Sequence, residues 1–483
     1  MHVVLWDTRK FDVSKDFAGG FGVGQYPGHG GWRGRIIRRF FTRDRRPVTL
    51  LFAYLAAIFR RLGHSVQYVE DQTPDGADLY VFVPSLITLP LERQAIIQVL
   101  TRNPGARVVV VGPTTTIMPE AFNDLDVAVI KGEAEQLYWK LDDLLQLPGV
   151  PVHLGIIEDL DRLPFPDWSP FNPKTFHIGY DFWLYPTALV QASRGCIFKC
   201  SYCPYTLQDN AIRFRDPEAV VEEICYDVRH WDFRSFKFRD PLFGQNREQV
   251  HRLAELIGRL PRKIQFSVET RIELMSPEIL RLLKSAGLTS ITVGIESPDQ
   301  TQLHHYRRSM ESTDRQREFF AVCRNLGIRT VAGFMIGFPD DTEQSIRLVE
   351  GYAKWLNPTF ANFNMVTPYP GTEFFQKNQH RIADWDYSRY SSYTPVLNYK
   401  YLKPDELTKL HAACFIHFYF RWNYLFSNAH LIWPMLQRFG GGVRSWACSS
   451  GDPDHPVQKS PISALEKMES QTSHQDTPHR YAI

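Results

Sequence analysis

From residue 1 to about 147, short runs of β-branched and aromatic residues alternate with longer segments whose apolar positions recur about every 3.6 residues. HVVLW, SVQYVE, DLYVFVP, ARVVVVG and VAVIKG predict strands; VTLLFAYLAAIFRRLG, LERQAIIQVLTR and EAEQLYWKLDDLLQL predict helices. Strands that are apolar almost throughout belong in a parallel sheet covered on both faces, so residues 1–148 are expected to form a doubly wound, Rossmann-like domain. Such sheets bind ligands beyond the carboxyl ends of their strands, which directs attention to the loops after Val83, Val111 and Ile130.

The proline-rich stretch LPGVPVHLGIIEDLDRLPFPDWSPFNP, within 149–183, reads as a linker lying across the surface. A second alternating series then occupies 184–385. Its strands are TALVQAS, SFKFRD, KIQFSVET, SITVGIES, RTVAGFMIGFP and TFANFNMVTP, separated by amphipathic segments opened by SP and DT capping signals. This is the pattern of a partial (β/α)6 TIM-type barrel, with its active face at the carboxyl ends of the strands. Residues 386–448 read as an aromatic helical region and 449–483 as a polar tail expected to stay disordered.

Charge narrows the partners. With 55 basic and 53 acidic residues in 483, the formal net charge of +2 gives no reason to expect nucleic acid. The exception is RGRIIRRFFTRDRR, where seven arginines accompany one acid, Asp44; it reads either as a solvated face or as an anion or membrane-surface contact. Seven cysteines make no disulfide framework, and MHVVLWDTRK lacks the shape of a signal peptide, so a cytoplasmic location is expected. The apolar run LLFAYLAAIF, ten residues, is too short to cross a bilayer.

Three of those cysteines, Cys196, Cys200 and Cys203, crowd into RGCIFKCSYCPY just after the first barrel strand. A closed structural zinc site would want a fourth ligand, and no Cys or nearby His supplies one. An iron-sulfur cluster suits three thiolates better, since a four-iron cluster then keeps one iron open to a substrate or cofactor. Cys225 and Cys323 fall on helix faces and read as core thiols.

RGCIFKCSYCPY resembles the CxxxCxxC signature of radical S-adenosylmethionine (SAM) enzymes, with Tyr202 as the aromatic before the last cysteine. FKFRDPLFG resembles the second-strand motif of the cobalamin-associated branch, with Pro241 where an acid often stands. VETRIELMSPEILRLLKSAGLTSITVGIESPDQ, GFMIGFPDDTEQS and MVTPYPGTEFF resemble its later strands, so the likeness covers about 184–376. It implies a 4Fe-4S cluster on Cys196, Cys200 and Cys203 whose open iron chelates SAM. It further implies Tyr202 at the adenine, Asp240, Arg271 and Glu296 at the amino acid or ribose portion, and Gly333 and Gly337 close to the adenine. The rival reading of the three charged residues is an ion-pair network at the barrel end.

In the same branch the amino-terminal domain carries cobalamin. VFVPSLITL resembles the loop packing on the nucleotide tail and offers Ser85 and Thr88; VVVVGPTTT keeps only Gly112 of two usual glycines; VIKGEAE offers Gly132, Glu133 and Glu135. The DxHxxG motif that gives cobalt a histidine is absent, and FAGGFGVGQYPGHGGW stands between first strand and first helix, with His29 more a bystander than a ligand. GGFGVG opens no immediate helix, which excludes a dinucleotide fingerprint.

The resemblance implies a cobalamin-dependent radical SAM enzyme that methylates an unactivated carbon of a natural product, lipid or tetrapyrrole, with an electron donor such as flavodoxin or ferredoxin. A non-methylating rearrangement or oxidative ring closure on the same cofactors, and a non-catalytic cobalamin or iron-sulfur binding protein, are the alternatives. No substrate acid or base can be named; Tyr205 and Tyr306 are candidate substrate or radical-path contacts. FIHFYFRWNYLF reads as a pocket wall or, in preference, as a helix packed on the barrel.

Overall fold

The computed structural model describes residues 1–8, 13–41, 48–70, 76–144, 151–178, 186–207, 210–429 and 431. The polar tail after 449 and Asp44 lie outside them. The chain divides into two units, Met1–Phe426 and Ser427–Ile483, and both large sheets belong to the first.

The first sheet contains β1 (His2–Asp7), β2 (Ser65–Glu70), β3 (Leu79–Phe82), β4 (Arg107–Val110), β5 (Ala128–Lys131) and β6 (Val152–His153). All neighbours are parallel, in the order β2-β1-β3-β4-β5-β6. Every residue of Leu79–Phe82 is buried, as a central parallel strand covered on both faces requires. Val4, Trp6, Phe82, Val110 and Val129 form one core with Ile96 and Val99 of the helix Leu89–Arg102.

The second sheet contains β7 (Thr187–Val190), β8 (Ser235–Phe238), β9 (Gln265–Thr270), β10 (Leu288–Glu296), β11 (Arg329–Ile336) and β12 (Phe360–Met365). These run parallel in simple sequence order with β7 and β12 as edges, which is an open partial barrel. Side-chain caps set the helix starts: Ser276 accepts from Ile279 N, and Thr342 and Ser345 close a reciprocal capping box.

Two segments differ from the sequence reading, and a third follows its preferred form. The stretch 151–178 is no surface linker: it adds β6 to the first sheet and buries Trp168, whose indole N–H donates to Asp227 on the helix Pro217–Trp231. A helix, Gly31–Phe41, starts within the glycine-rich loop and carries the first arginines of the basic run. The aromatic region forms helix Pro404–Tyr419 and then a short helix, Trp422–Ser427, broken at Phe420 and Arg421. Leu407, Leu410, Cys414, Phe415 and Phe418 are buried, with Phe415 edge-on to Phe363 of β12, so this helix packs on the barrel. Among the described residues no helix is long and apolar enough to cross a membrane.

Candidate active site

The thiol loop leaves β7 through Ala192 and Ser193, and Asp240 at the end of β8 holds that exit. Its carboxylate accepts from Ser193 Oγ at 2.6 Å and from Ala192 N at 3.2 Å. Burial pushes the Asp240 carboxyl up to about 6, against the pull of these donors. Both oxygens are therefore engaged by the loop, one by the Ser193 hydroxyl and one by the Ala192 N–H. Asn210 clamps the other side, accepting from Cys196 N and donating to its carbonyl, both at 2.8 Å. Gly195, at φ +84, has no room for a Cβ, which would lie 2.4 Å from the Ala211 carbonyl.

Cys196, Cys200 and Cys203 are all free thiols. Burial raises each of them, Cys203 to about 12. Two guanidiniums oppose that shift at Cys196 and Cys200: Arg271, from the end of β9, and Arg308, which also hydrogen-bonds Cys200. Arg271 lies over the Phe198 ring of the thiol loop at 3.6 Å and binds Glu273 and Ser309. Arg308 donates to the Gly294 carbonyl and lies 3.7 Å from Glu296. Arg271 Nη1 and Arg308 Nε are buried yet have no partner. Buried donors are ordinarily satisfied, so these two point to a missing anionic group. A cluster on three thiolates with bound SAM fits that requirement. Among the described residues no three His, Cys, Asp or Glu side chains are placed to hold a single metal ion.

Glu296 ends β10 at a register shift with φ +67, a conformation costly for a side chain with a Cβ. Burial raises its carboxyl, with Arg308 and Arg271 pulling the other way. Glu296 thus stands beside the thiols and arginines, and Arg271 with Glu273, and Arg308 with Glu296, form ion pairs at this end of the barrel. Gly333 on β11 pairs with Gly294. A Cβ there would approach nothing closer than 3.8 Å, so the protein itself leaves this space. Gly337 is different: φ +76 and Leu407 at 3.0 Å from a virtual Cβ make it a backbone requirement. Tyr202 packs edge-on against Tyr306 and Phe338, and its hydroxyl is buried without a partner.

Beyond the carboxyl ends of the first sheet lies a cavity of about 200 Å³. Gly112, Gly132, Glu133 and Glu135 line it, as do Gly19 and Gly20 of the glycine-rich loop. Its opposite wall comes from the barrel: Gln191, Arg194, Gly195, Tyr205, Arg239 and Pro241. Gly112 and Gly132 have φ +101 and +87, and a Cβ on Gly132 would sit 2.6 Å from the Gly155 carbonyl. Thr49 also lines the cavity, with a buried hydroxyl that has no partner. Strand-end glycines and an unanswered hydroxyl fit part of a large, polar cofactor.

Glu133 and Glu135 are bound to the barrel. Arg213 engages both oxygens of Glu133 at 2.8 Å, and Arg194 reaches Glu133 at 3.1 Å and Glu135 at 2.6 Å. The Glu133 carboxyl falls below its usual range because these guanidiniums and the Ile157 N–H outweigh its burial. Ser85 and Thr88 do not line the cavity. Their hydroxyls meet at 2.7 Å, and Thr88 donates to Glu92, which also binds Lys15 at 2.5 Å. They stiffen the loop after β3 from inside. His29 lies at the helix Pro404–Tyr419, where its carbonyl accepts from Tyr26, whose ring stacks on Phe415. Cys323 is buried on its helix and Cys225 half-buried, as core thiols. Arg213 and Arg308 escaped the sequence reading; Arg194 stood out there only as part of the thiol motif, without its tie to Glu133 and Glu135.

Residues 190–350 match the family model described as the radical SAM superfamily. Over 409 residues the chain is 24% identical to an uncharacterized methyltransferase of Pyrococcus horikoshii, covering 76% of this chain and 87% of that protein. It is 29% identical over 270 residues to the anaerobic magnesium-protoporphyrin IX monomethyl ester cyclase of Cereibacter sphaeroides, covering 55% of this chain but only 43% of the cyclase. The hopanoid C-3 methylase of Methylococcus capsulatus is 26% identical over 378 residues, 71% of each chain. Among solved structures, the radical SAM methyltransferase TsrM from Kitasatospora setae, with cobalamin and a 4Fe-4S cluster bound, aligns with a TM-score of 0.55 over 79% of this chain and 78% of that one, at 15% identity. That likeness is one of fold, and it spans both sheets.

Proposed function

We propose, from the match of residues 190–350 to the radical SAM superfamily model, that this chain is a cobalamin-dependent radical SAM C-methyltransferase acting on an unactivated carbon of a lipid or tetrapyrrole. One observation carries the reading. Gln191, Arg194 and Gly195 line the cavity at the first sheet, and the next residue, Cys196, begins the thiol trio. A single short segment thus forms one wall of the cobalamin site and anchors the cluster.

Cys196, Cys200 and Cys203 would hold the cluster, with Gly112, Gly132 and Thr49 at the corrin. When bound, these groups supply one-electron cleavage of SAM to a 5'-deoxyadenosyl radical and a transferable methyl group; the protein contributes position and dryness. Arg271 and Arg308 offset the negative charge of the thiolates. Glu296 is placed beside them for the ammonium or ribose of SAM, while Asp240 orients the loop that carries the thiols. Tyr202, Tyr306 and Phe338 close the space behind the loop with stacked rings, Tyr306 and Phe338 lying 4.6 Å apart. Tyr205 and Arg239 face the cavity from the barrel side.

The chain's methylase relatives favour methyl transfer, and its cyclase relative keeps oxidative ring closure as the second reading. Anaerobically reconstituted protein with cobalamin, reductant and deuteriomethyl SAM should form 5'-deoxyadenosine and place deuterium in a hopanoid or porphyrin product. Product without label would favour ring closure. Binding of cobalamin without 5'-deoxyadenosine would refute both.

A further inference from the structure

Helix Gly31–Phe41, with sequence GWRGRIIRRFF, holds four arginines and no acid. It packs inward through Gly34 and Ile37, which are buried, and so turns Trp32, Arg33, Arg35, Ile36, Arg38 and Arg39 outward. Trp32 is 57% exposed and Ile36 40%. The surface continues onto the end of the aromatic region, where Trp32 meets Phe420 edge-on at 5.7 Å and Arg33 lies over the same Phe420 ring at 5.6 Å. Just beyond it, Trp422 and Phe426 stack on each other while remaining 74% and 76% exposed. Two elements far apart in sequence therefore meet at Phe420, and each exposes large aromatic or aliphatic groups, those of the first helix among arginines.

We propose that this face docks the protein on an anionic lipid bilayer. Two aromatic side chains three-quarters exposed are costly in water, and tryptophan and phenylalanine are the residues that gain most from the headgroup boundary. The arginines supply the complementary charge, which suits a negatively charged leaflet and no neutral one. A nucleic acid would use the arginines but not Ile36 or the Trp422–Phe426 stack. The proposal stands apart from the proposed methyl transfer, because it concerns the outer surface alone. If the substrate is a lipid, the same face brings the enzyme to it.

The test is co-sedimentation of the full chain, cluster-loaded, with vesicles of phosphatidylcholine alone or containing about 30 mol % phosphatidylglycerol. Binding to the anionic vesicles at least ~10-fold tighter than to the neutral ones, and weakening as salt rises, is the expected result. Arg35→Gln with Arg39→Gln should weaken it ~10-fold, and Trp422→Ser with Phe426→Ser by a similar factor, with cluster absorbance and unfolding midpoint unchanged. Should a variant fold poorly, the blue shift of tryptophan fluorescence on adding anionic vesicles to the unaltered protein decides the matter. No binding, equal binding to both vesicles, or binding indifferent to either pair of substitutions overturns the proposal. So does a short DNA duplex bound as tightly as the vesicles and unaffected by loss of Trp422 and Phe426, which would assign the face to nucleic acid.

Discussion

Arg194 Nη2 lies 2.6 Å from Glu135 Oε1, and this contact ties the thiol loop of the barrel to the turn after β5 of the first sheet. Both side chains are largely buried, and Arg194 also reaches Glu133. Removing one partner of such a pair leaves the other charged and out of water, which costs about 3–5 kcal/mol, more than the pair itself contributes. Arg194→Met is therefore expected to lower unfolding free energy by about 3 kcal/mol or more in urea titration. It should also release bound cobalamin, since Arg194 lines that cavity. A variant as stable as the parent would show that the junction is held by other contacts.

Substitution of any one thiol tests the cluster directly. Cys196→Ala, Cys200→Ala and Cys203→Ala should each abolish the broad brown absorbance and the reduced-state electron-spin signal after anaerobic loading, while Cys323→Ala retains both. Cys323 is the apt control because it is equally a thiol but sits in the helix Thr313–Asn325, under the barrel strands. Iron content per chain is the decisive measurement. Retention of four irons in any of the three loop variants would contradict the assignment.

The course of both sheets was legible in the sequence because parallel strands buried on two faces carry continuous apolar runs, and Leu79–Phe82 and Ser235–Phe238 show no exposed residue. The thiol trio was legible for a different reason: its spacing is local. What stayed hidden depends on contacts distant in sequence. Nothing near Arg308 marks it as a neighbour of Cys200, more than a hundred positions away. Ser85 and Thr88 are offered as ligand contacts by the resemblance of VFVPSLITL to a family loop, yet the loop folds their hydroxyls onto each other and Glu92. The 151–178 segment misled through its prolines, which describe backbone stiffness and say nothing of where Trp168 goes. Asp240 sits between these cases: its position at a strand end was foreseen, but its commitment to Ser193 depends on a neighbouring strand.

That commitment has a pH signature. The Asp240 carboxyl, ordinarily near 3.8, stands at about 6 in the fold because it is buried. The folded state thus prefers the protonated form. Below about pH 4 the group is protonated folded or unfolded and its full contribution is present; as pH rises through 6 that contribution is lost, by about 3 kcal/mol. Asp240→Asn cannot ionise, although its amide satisfies only one of the two donors, a loss of about 1 kcal/mol. The stability of the variant relative to the parent should therefore climb between pH 4 and pH 7. Denaturant titrations of the two proteins at several pH values check this, and a constant difference would show that the carboxyl is not raised.

Gly333 separates a ligand requirement from a folding requirement. At Gly337 the positive φ and the nearby Leu407 make any side chain harmful to the fold itself, so its substitution says little about SAM. At Gly333 the strand conformation is ordinary, and a methyl group would find its nearest neighbours, Val293 O and Gly294 Cα, at 3.8 and 3.9 Å, which is normal contact. Gly333→Ala should accordingly leave stability within about 0.5 kcal/mol, or raise it slightly by restricting the unfolded chain. If the adenine of SAM packs on this strand, the same methyl intrudes on the ligand at a cost of about 1–3 kcal/mol, or roughly a 5- to 150-fold loss of affinity. Equilibrium binding of SAM to the cluster-loaded variant, beside its urea unfolding curve, measures both quantities on one preparation. Unchanged affinity with unchanged stability would move the adenine away from β11; lost affinity with intact folding would place it there.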